Sequence, residues 1–157
     1  ARDRPPFGQM RKYKLAFDPG GLLLFLQMML PNFVWFNLPA PDDILRQESI
    51  TPVVDGIASV CQILFAAALC AVVNRDRERL RLSPFICASL CCGGLYAAGW
   101  VCYYAGFAGP PVVALLTLPP CLCFLFFALD RKNGIAVIPI TVFTVCHLIY
   151  GIANFMI

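Results

Sequence analysis

Apolar residues fall in five runs of about twenty, and almost every charged residue lies between or before them. The runs cover about Gly20–Leu38, Pro52–Val73, Pro84–Phe107, Pro110–Leu129 and residues 135–157. Roughly 20 apolar residues in helical form span the 30 Å hydrocarbon core of a bilayer. Proline opens three runs, at the first-turn position where its missing N–H costs nothing. Polar, turn-rich intervals separate the others: PAPDDILRQES, NRDRERLRLS, a short AGPP and DRKNG. Barrel strands alternate polar and apolar residues, and LLLFLQMML and CLCFLFFAL do not. The pattern predicts an all-α fold, a five-helix transmembrane bundle formed as a single domain over residues 1–157. No internal repeat of the kind that builds inverted-repeat carriers is visible.

Composition agrees. The chain is 60% hydrophobic and 13% charged, with mean hydropathy +0.76, against about 25% charged residues in a soluble domain. The positions of the charges predict topology. Eleven of the twelve basic residues lie before the first run, between the second and third, or between the fourth and fifth. Only Arg46 lies on the other side, in a loop with Asp42, Asp43 and Glu48. The positive-inside rule then sets the N-terminus in the cytoplasm and, after five crossings, the C-terminus outside. The net charge of +3 expresses this bias and predicts no nucleic-acid partner. The expected partners are membrane lipid and, in a homo-oligomer or with a partner membrane subunit, another helix bundle. The expected location is a cell membrane, that of a bacterium. Leu38-Pro39-Ala40 resembles a signal-cleavage site, but Pro41 should block cleavage, so the first run reads as a retained anchor. Met10 with Arg11, Lys12, Tyr13 and Lys14 reads as a natural start, with residues 1–9 lying upstream as non-native or disordered chain.

Nine cysteines lie inside the runs and read as small buried hydrophobes. Cys87 and Cys91 share a helix face, but Cys121 and Cys123 point about 200° apart and the only histidine is His147. No metal or other cofactor is expected.

The informative residues are polar ones inside the runs, because unpaired polar groups are costly in lipid. Thr51, Asp55, Ser59 and Gln62 share one face of the second helix. Thr144, His147, Gly151 and Asn154 share one face of the fifth, with Tyr150 beside them. Ser89, Gly93, Tyr96, Trp100 and Tyr103 make a stripe on the third. At about 1.5 Å rise per residue, Asp55 with Asn154, Ser59 with Tyr150, and Gln62 with His147 fall at matching depths if these two helices are neighbours. Asp55, Ser59, Gln62, Trp100, Tyr103, His147 and Asn154 are therefore the candidate ligand-binding residues of an outward-facing cavity, with Asn32, Trp35 and Tyr104 in the same outer half. The competing role for the polar stripes is interhelical bonding, and for the aromatics an interfacial belt.

Three further expectations follow. Small residues Ser89, Gly93, Gly94, Ala97 and Ala98 predict that the third helix is central. Pro31, Pro119-Pro120 and Pro139 should free helical carbonyls. Asp42 and Asp43 should cap a short surface helix whose Ile44 and Leu45 dip toward lipid, an ordinary linker or a lid.

The segment LPNFVWFNLPAPDDILRQESITPVVDGIASVCQ (30–62) and the start MRKYKLAFDPGGLLLFL resemble small bacterial integral membrane proteins that have no assigned activity, so the resemblance implies a membrane location and no site. No HExxH, GxSxG or paired aspartates at active-site spacing occur, and an Asp55–His147 acid–base pair would need a shift of about two helical turns. The expectation leans away from an enzyme. Its first form is a small-molecule or lipid binding or transport component. The alternative is a structural, accessory or sensory membrane subunit.

Overall fold

The computed structural model describes residues 12–157. The Met10 start and the basic residues Arg2, Arg4 and Arg11 lie outside them. Each apolar run is one helix: α1 Pro19–Asn37, α2 Pro52–Ala71, α3 Pro84–Tyr104, α4 Pro110–Asp130 and α5 Gly134–Phe155. All five are long and apolar enough to cross a membrane, and the fold is an all-α five-helix bundle. Proline sits in the first turn of α1, α2, α3 and α4, one helix more than the sequence suggested.

Two helices stop short of their apolar runs where the chain changes conformation. The second helix stops at Ala71, and Val72–Asn74 (β2) pairs antiparallel with Tyr13–Leu15 (β1), Tyr13 opposite Asn74 and Leu15 opposite Val72. Three-residue strands leave no periodicity to read in sequence. The third helix stops at Tyr104 because the chain turns at Gly106, whose φ of 95° is a left-handed conformation that glycine adopts freely.

Packing makes a ring. α3 packs on α4, α4 on α5 and α5 on α2, while α1 lies across the gap between α2 and α3. The central helix is α4, with eleven buried residues including Pro119 and Pro120. This corrects the expectation for α3, whose Gly94, Ala97 and Ala98 are exposed. A small residue permits close approach on whichever face it occupies, and among the small residues of α3 only Ser89 and Gly99 are buried, both against α4. Ser89 donates to the Cys123 carbonyl at 2.8 Å.

The two ends of the bundle differ. The described parts of the three basic segments meet at one end, where Lys12 and Lys14 lie beside Val73–Arg75 and Lys132 Nζ donates to the Asp76 carbonyl at 3.2 Å. There the buried Asp18 accepts from Gly20 N at 3.1 Å at the start of α1. It also pairs with Arg77 and lies 3.5 Å from Arg131 Nε. Asn133 caps α5 through the Ala136 N–H and donates to the carbonyls of Ala68 and Val72, each at 3.0 Å. Gly21 lies so close to α2 that an added Cβ would fall 2.2 Å from the Leu69 carbonyl oxygen. At the opposite end the described hydrogen bonds from α1 to other helices run between side chains, Asn32 to Tyr96 and Gln62 to Met29, and space opens between them.

Candidate functional site

That space is a cavity of about 420 Å³ in the half of the bundle away from the basic segments. Its size is ordinary for a small-molecule site. The polar groups on its wall come from four helices: Asn32 on α1, Asp55, Ser59 and Gln62 on α2, Thr117 on α4, and His147 and Tyr150 on α5. The rest of the wall is largely aromatic or thioether, including Met28, Met29, Trp35, Tyr96, Trp100, Phe124 and Phe143. The floor is tight. Phe65 is fully buried, with ring centroids 4.9 Å from Phe124 and 5.2 Å from Phe143.

Of the seven residues singled out from sequence, Asp55, Ser59, Gln62, Trp100 and His147 line the cavity, and Tyr103 and Asn154 do not. Asn154 works at the rim. It donates to Thr51 Oγ1 at 3.0 Å and accepts from Ile50 N at 2.8 Å, while Thr51 Oγ1 donates to Asp55 Oδ1 at 3.0 Å. The first of the depth-matched pairs is thus joined through Thr51. The other two face the cavity without a direct hydrogen bond among the described residues. Ser59 bonds back to the Asp55 carbonyl at 2.9 Å, and Gln62 Nε2 reaches Met29 Sδ on α1 at 3.3 Å.

His147 lies between two rings on the same face of α5. It stacks on Phe143 at 5.0 Å and on Tyr150 at 6.0 Å, nearly parallel to both. It also approaches the Leu116 carbonyl. Pro120 lacks the N–H that would normally occupy that carbonyl, so the double proline gives the histidine a polar neighbour on α4. Across the cavity, Asn32 Nδ2 donates to Tyr96 Oη at 2.8 Å and ties α1 to α3. Trp100 packs edge-on against Tyr96 and Tyr103, and its indole N–H is buried with no well-aligned acceptor among the described residues. These aromatics are walls of the bundle rather than an interfacial belt.

A strap lies at the cavity's far end. After α1 the chain forms a short 3-10 turn at Ile44–Arg46, and Leu45 joins the cavity wall. Leu45 therefore dips inward, not toward lipid, because the aromatic cavity offers it an apolar surface already walled by protein. Asp43 makes no capping hydrogen bond. Its carboxylate instead accepts from Trp35 Nε1 and Tyr103 Oη, each at 2.8 Å, from Ala40 N at 3.2 Å and from Arg46 Nε at 2.6 Å. Tyr103 Oη also accepts from Leu45 N at 3.1 Å, and the Arg46 guanidinium sits 4.6 Å from the Trp35 ring centroid. Burial opposes the Asp43 charge, but donation from Trp35, Tyr103, Arg46 and Ala40 outweighs it, and its pKa lies below the ordinary 3.8. Tyr103 is a strut of this strap.

Sequence reasoning missed Thr117, a polar residue inside the fourth run, and Asp43 as the strap's anchor. Met28, Phe124 and Phe143 carried no signal distinguishing cavity wall from lipid face. Cys87 and Cys91 are exposed on α3, whereas Cys61, Cys121, Cys123 and Cys146 are buried. No family model, curated protein or solved structure matches this chain, and the chemistry of the cavity is read from its own residues.

Proposed function

We propose that this membrane protein is a small-molecule or lipid binding or transport component, with the basic end in the cytoplasm and the cavity opening toward the outer side. The observation that carries the reading is the cavity of about 420 Å³ walled by aromatic rings and studded with Asp55, Gln62 and His147. Interhelical bonding alone would draw these groups together rather than space them around a cavity, since polar groups in lipid find partners by packing together. The basic segments at one end support the cytoplasmic assignment, and the bacterial plasma membrane is the location we favour. Five helices are few for a complete carrier, so transport would require a second copy or a partner subunit.

The test is native mass spectrometry of the chain released from lipid nanodiscs. One small molecule or lipid should remain bound per chain, and Gln62→Trp, which fills the cavity, should lose it. Equal retention by both forms would remove the reading.

A second reading, a structural or accessory subunit, is favoured by one feature. Cys87, Cys91, Gly94 and Ala98 are exposed along one face of α3, and small residues in lipid permit another helix to approach closely. Gly94→Leu should then shift the chain to a smaller species in detergent sizing, while a lipid-facing glycine would leave its size unchanged.

A further inference from the structure

The charges and rings on the cavity wall narrow the ligand class, given the ligand-site reading above. Among the described residues Asp55 is the one acidic side chain lining the cavity, and no lysine or arginine lines it. Each ion pair among the described residues uses Asp18, Asp43 or Glu78, and none uses Asp55. Its Oδ1 accepts from Thr51, and no described donor reaches its second oxygen. A carboxylate within a span, facing a cavity and lacking a cation, is incomplete by itself. The start of α2 offers it only the partial charge of a helix dipole.

The rings complete the description. Trp35, Tyr96, Trp100, Phe143, His147 and Tyr150 surround the same space. Aromatic faces attract cations, and do so more strongly where water is excluded. The approach has the same sign. Asp42 and Glu48 of the strap are exposed, while Arg46 is held by Asp43 and by the Trp35 carbonyl and ring. Exposed acidic groups at a mouth raise the local concentration of cations. A neutral lipid tail would have no use for Asp55, and an anion would meet it with repulsion.

We propose that the cavity selects a small organic cation, a protonated or quaternary amine carrying an aromatic or aliphatic body, with Asp55 as its counter-ion and the Trp35, Trp100 and Tyr150 rings as its cage. A body of this kind matches the apolar floor at Phe124 and Phe143, while the ammonium sits nearer the rim, where Asp55 lies.

Three probes of one shape class test this in detergent by Tm shift: benzyltrimethylammonium, its uncharged carbon isostere neopentylbenzene, and phenylacetate. The cation should stabilise the chain with an apparent affinity about tenfold or more above the neutral isostere, the size expected of a desolvated ring cage. Phenylacetate should produce no shift. Asp55→Asn should sharply reduce the preference for the cation, leaving what the rings supply, and leave the neutral isostere's shift unchanged, which also reports that the variant is folded. If Asp55→Asn does not fold, Tyr150→Leu carries the test by weakening the cation more than its isostere. Equal binding of cation and isostere, or a preference undiminished in Asp55→Asn, would overturn the cation assignment while leaving a ligand cavity standing. A shift with none of the three would overturn both.

Discussion

The two ends of this bundle solve opposite problems with the same residue types. At the basic end the buried Asp18, Asn74 and Asn133 each join elements. Asp18 caps α1 and holds Arg77 beside Arg131, Asn133 joins α5 to α2, and Asn74 donates to the Lys132 carbonyl at 2.7 Å. In the other half, Asp55, Ser59, Gln62 and His147 are held at spacings that leave a cavity. Polar residues inside a span thus do not by themselves identify a site. What separates bolt from site is whether the partners are within the protein. Near the cavity α1 is tied by single side-chain contacts, Asn32 to Tyr96 and Gln62 to Met29, whereas at the basic end its backbone touches α2.

The largest test of this contrast removes a bolt. Asp18→Ala deprives buried Arg131 of its counter-charge and should cost about 3–5 kcal/mol, the size expected when one partner of a buried pair is removed. Thermal unfolding in detergent would measure it, and a loss under about 1 kcal/mol, typical of an exposed pair, would erase the distinction between the ends.

Next comes close packing. Gly21→Val should cost about 3 kcal/mol, the upper end for overpacking, because the opposing atom is a backbone carbonyl that cannot rotate away. The matched substitution Gly56→Val, where an added Cβ meets nothing within 4 Å, should change Tm little.

The strap should respond to acid before the bolts are broken by mutation. Asp43→Ala leaves the Trp35 and Tyr103 donors without an acceptor and should cost about 1 kcal/mol, read as faster hydrogen exchange over residues 40–48. In the native chain the folded pKa of Asp43 lies below 3.8. Its contribution is therefore complete above the unfolded value and is lost as pH falls through the folded one. Exchange over residues 40–48 should stay constant from pH 7 to about 5 and rise below about 3.8, after correction for intrinsic rates, and Asp43→Ala should abolish that rise. The smallest effect is expected in the open half. Asn32→Ala should cost about 0.6 kcal/mol, the average for a hydrogen bond between spans, because α1 there is already splayed from the ring.

Much of the cavity wall was legible before any coordinates. Asp55, Ser59 and Gln62 on α2 and His147 on α5 stood out because helical periodicity stacks polar residues on one face of each helix and lipid offers them no partner. Tyr103 and Asn154 carried the same signal, yet they brace the strap and the rim. Periodicity gives a face and a depth, but it does not say whether a neighbouring chain segment has already reached the side chain. Asp43 shows the converse. A loop aspartate carries no periodic signal, and its role arose only when Trp35, Tyr103 and Arg46 converged on it.

The number of helices, their limits to within a few residues and the gathering of basic segments at one end came from hydropathy and charge order. These are one-dimensional properties, because a backbone in lipid must satisfy its hydrogen bonds within each crossing. Tertiary structure alone decided that α4 rather than α3 is central, that Val72–Asn74 leaves the helix to pair with Tyr13–Leu15, and that α1 stands apart far from the basic end. Those outcomes depend on which faces meet. Gly21 against Leu69 holds α1 close at the basic end, and α4 buries both its inner prolines, contacts that no spacing along the chain encodes.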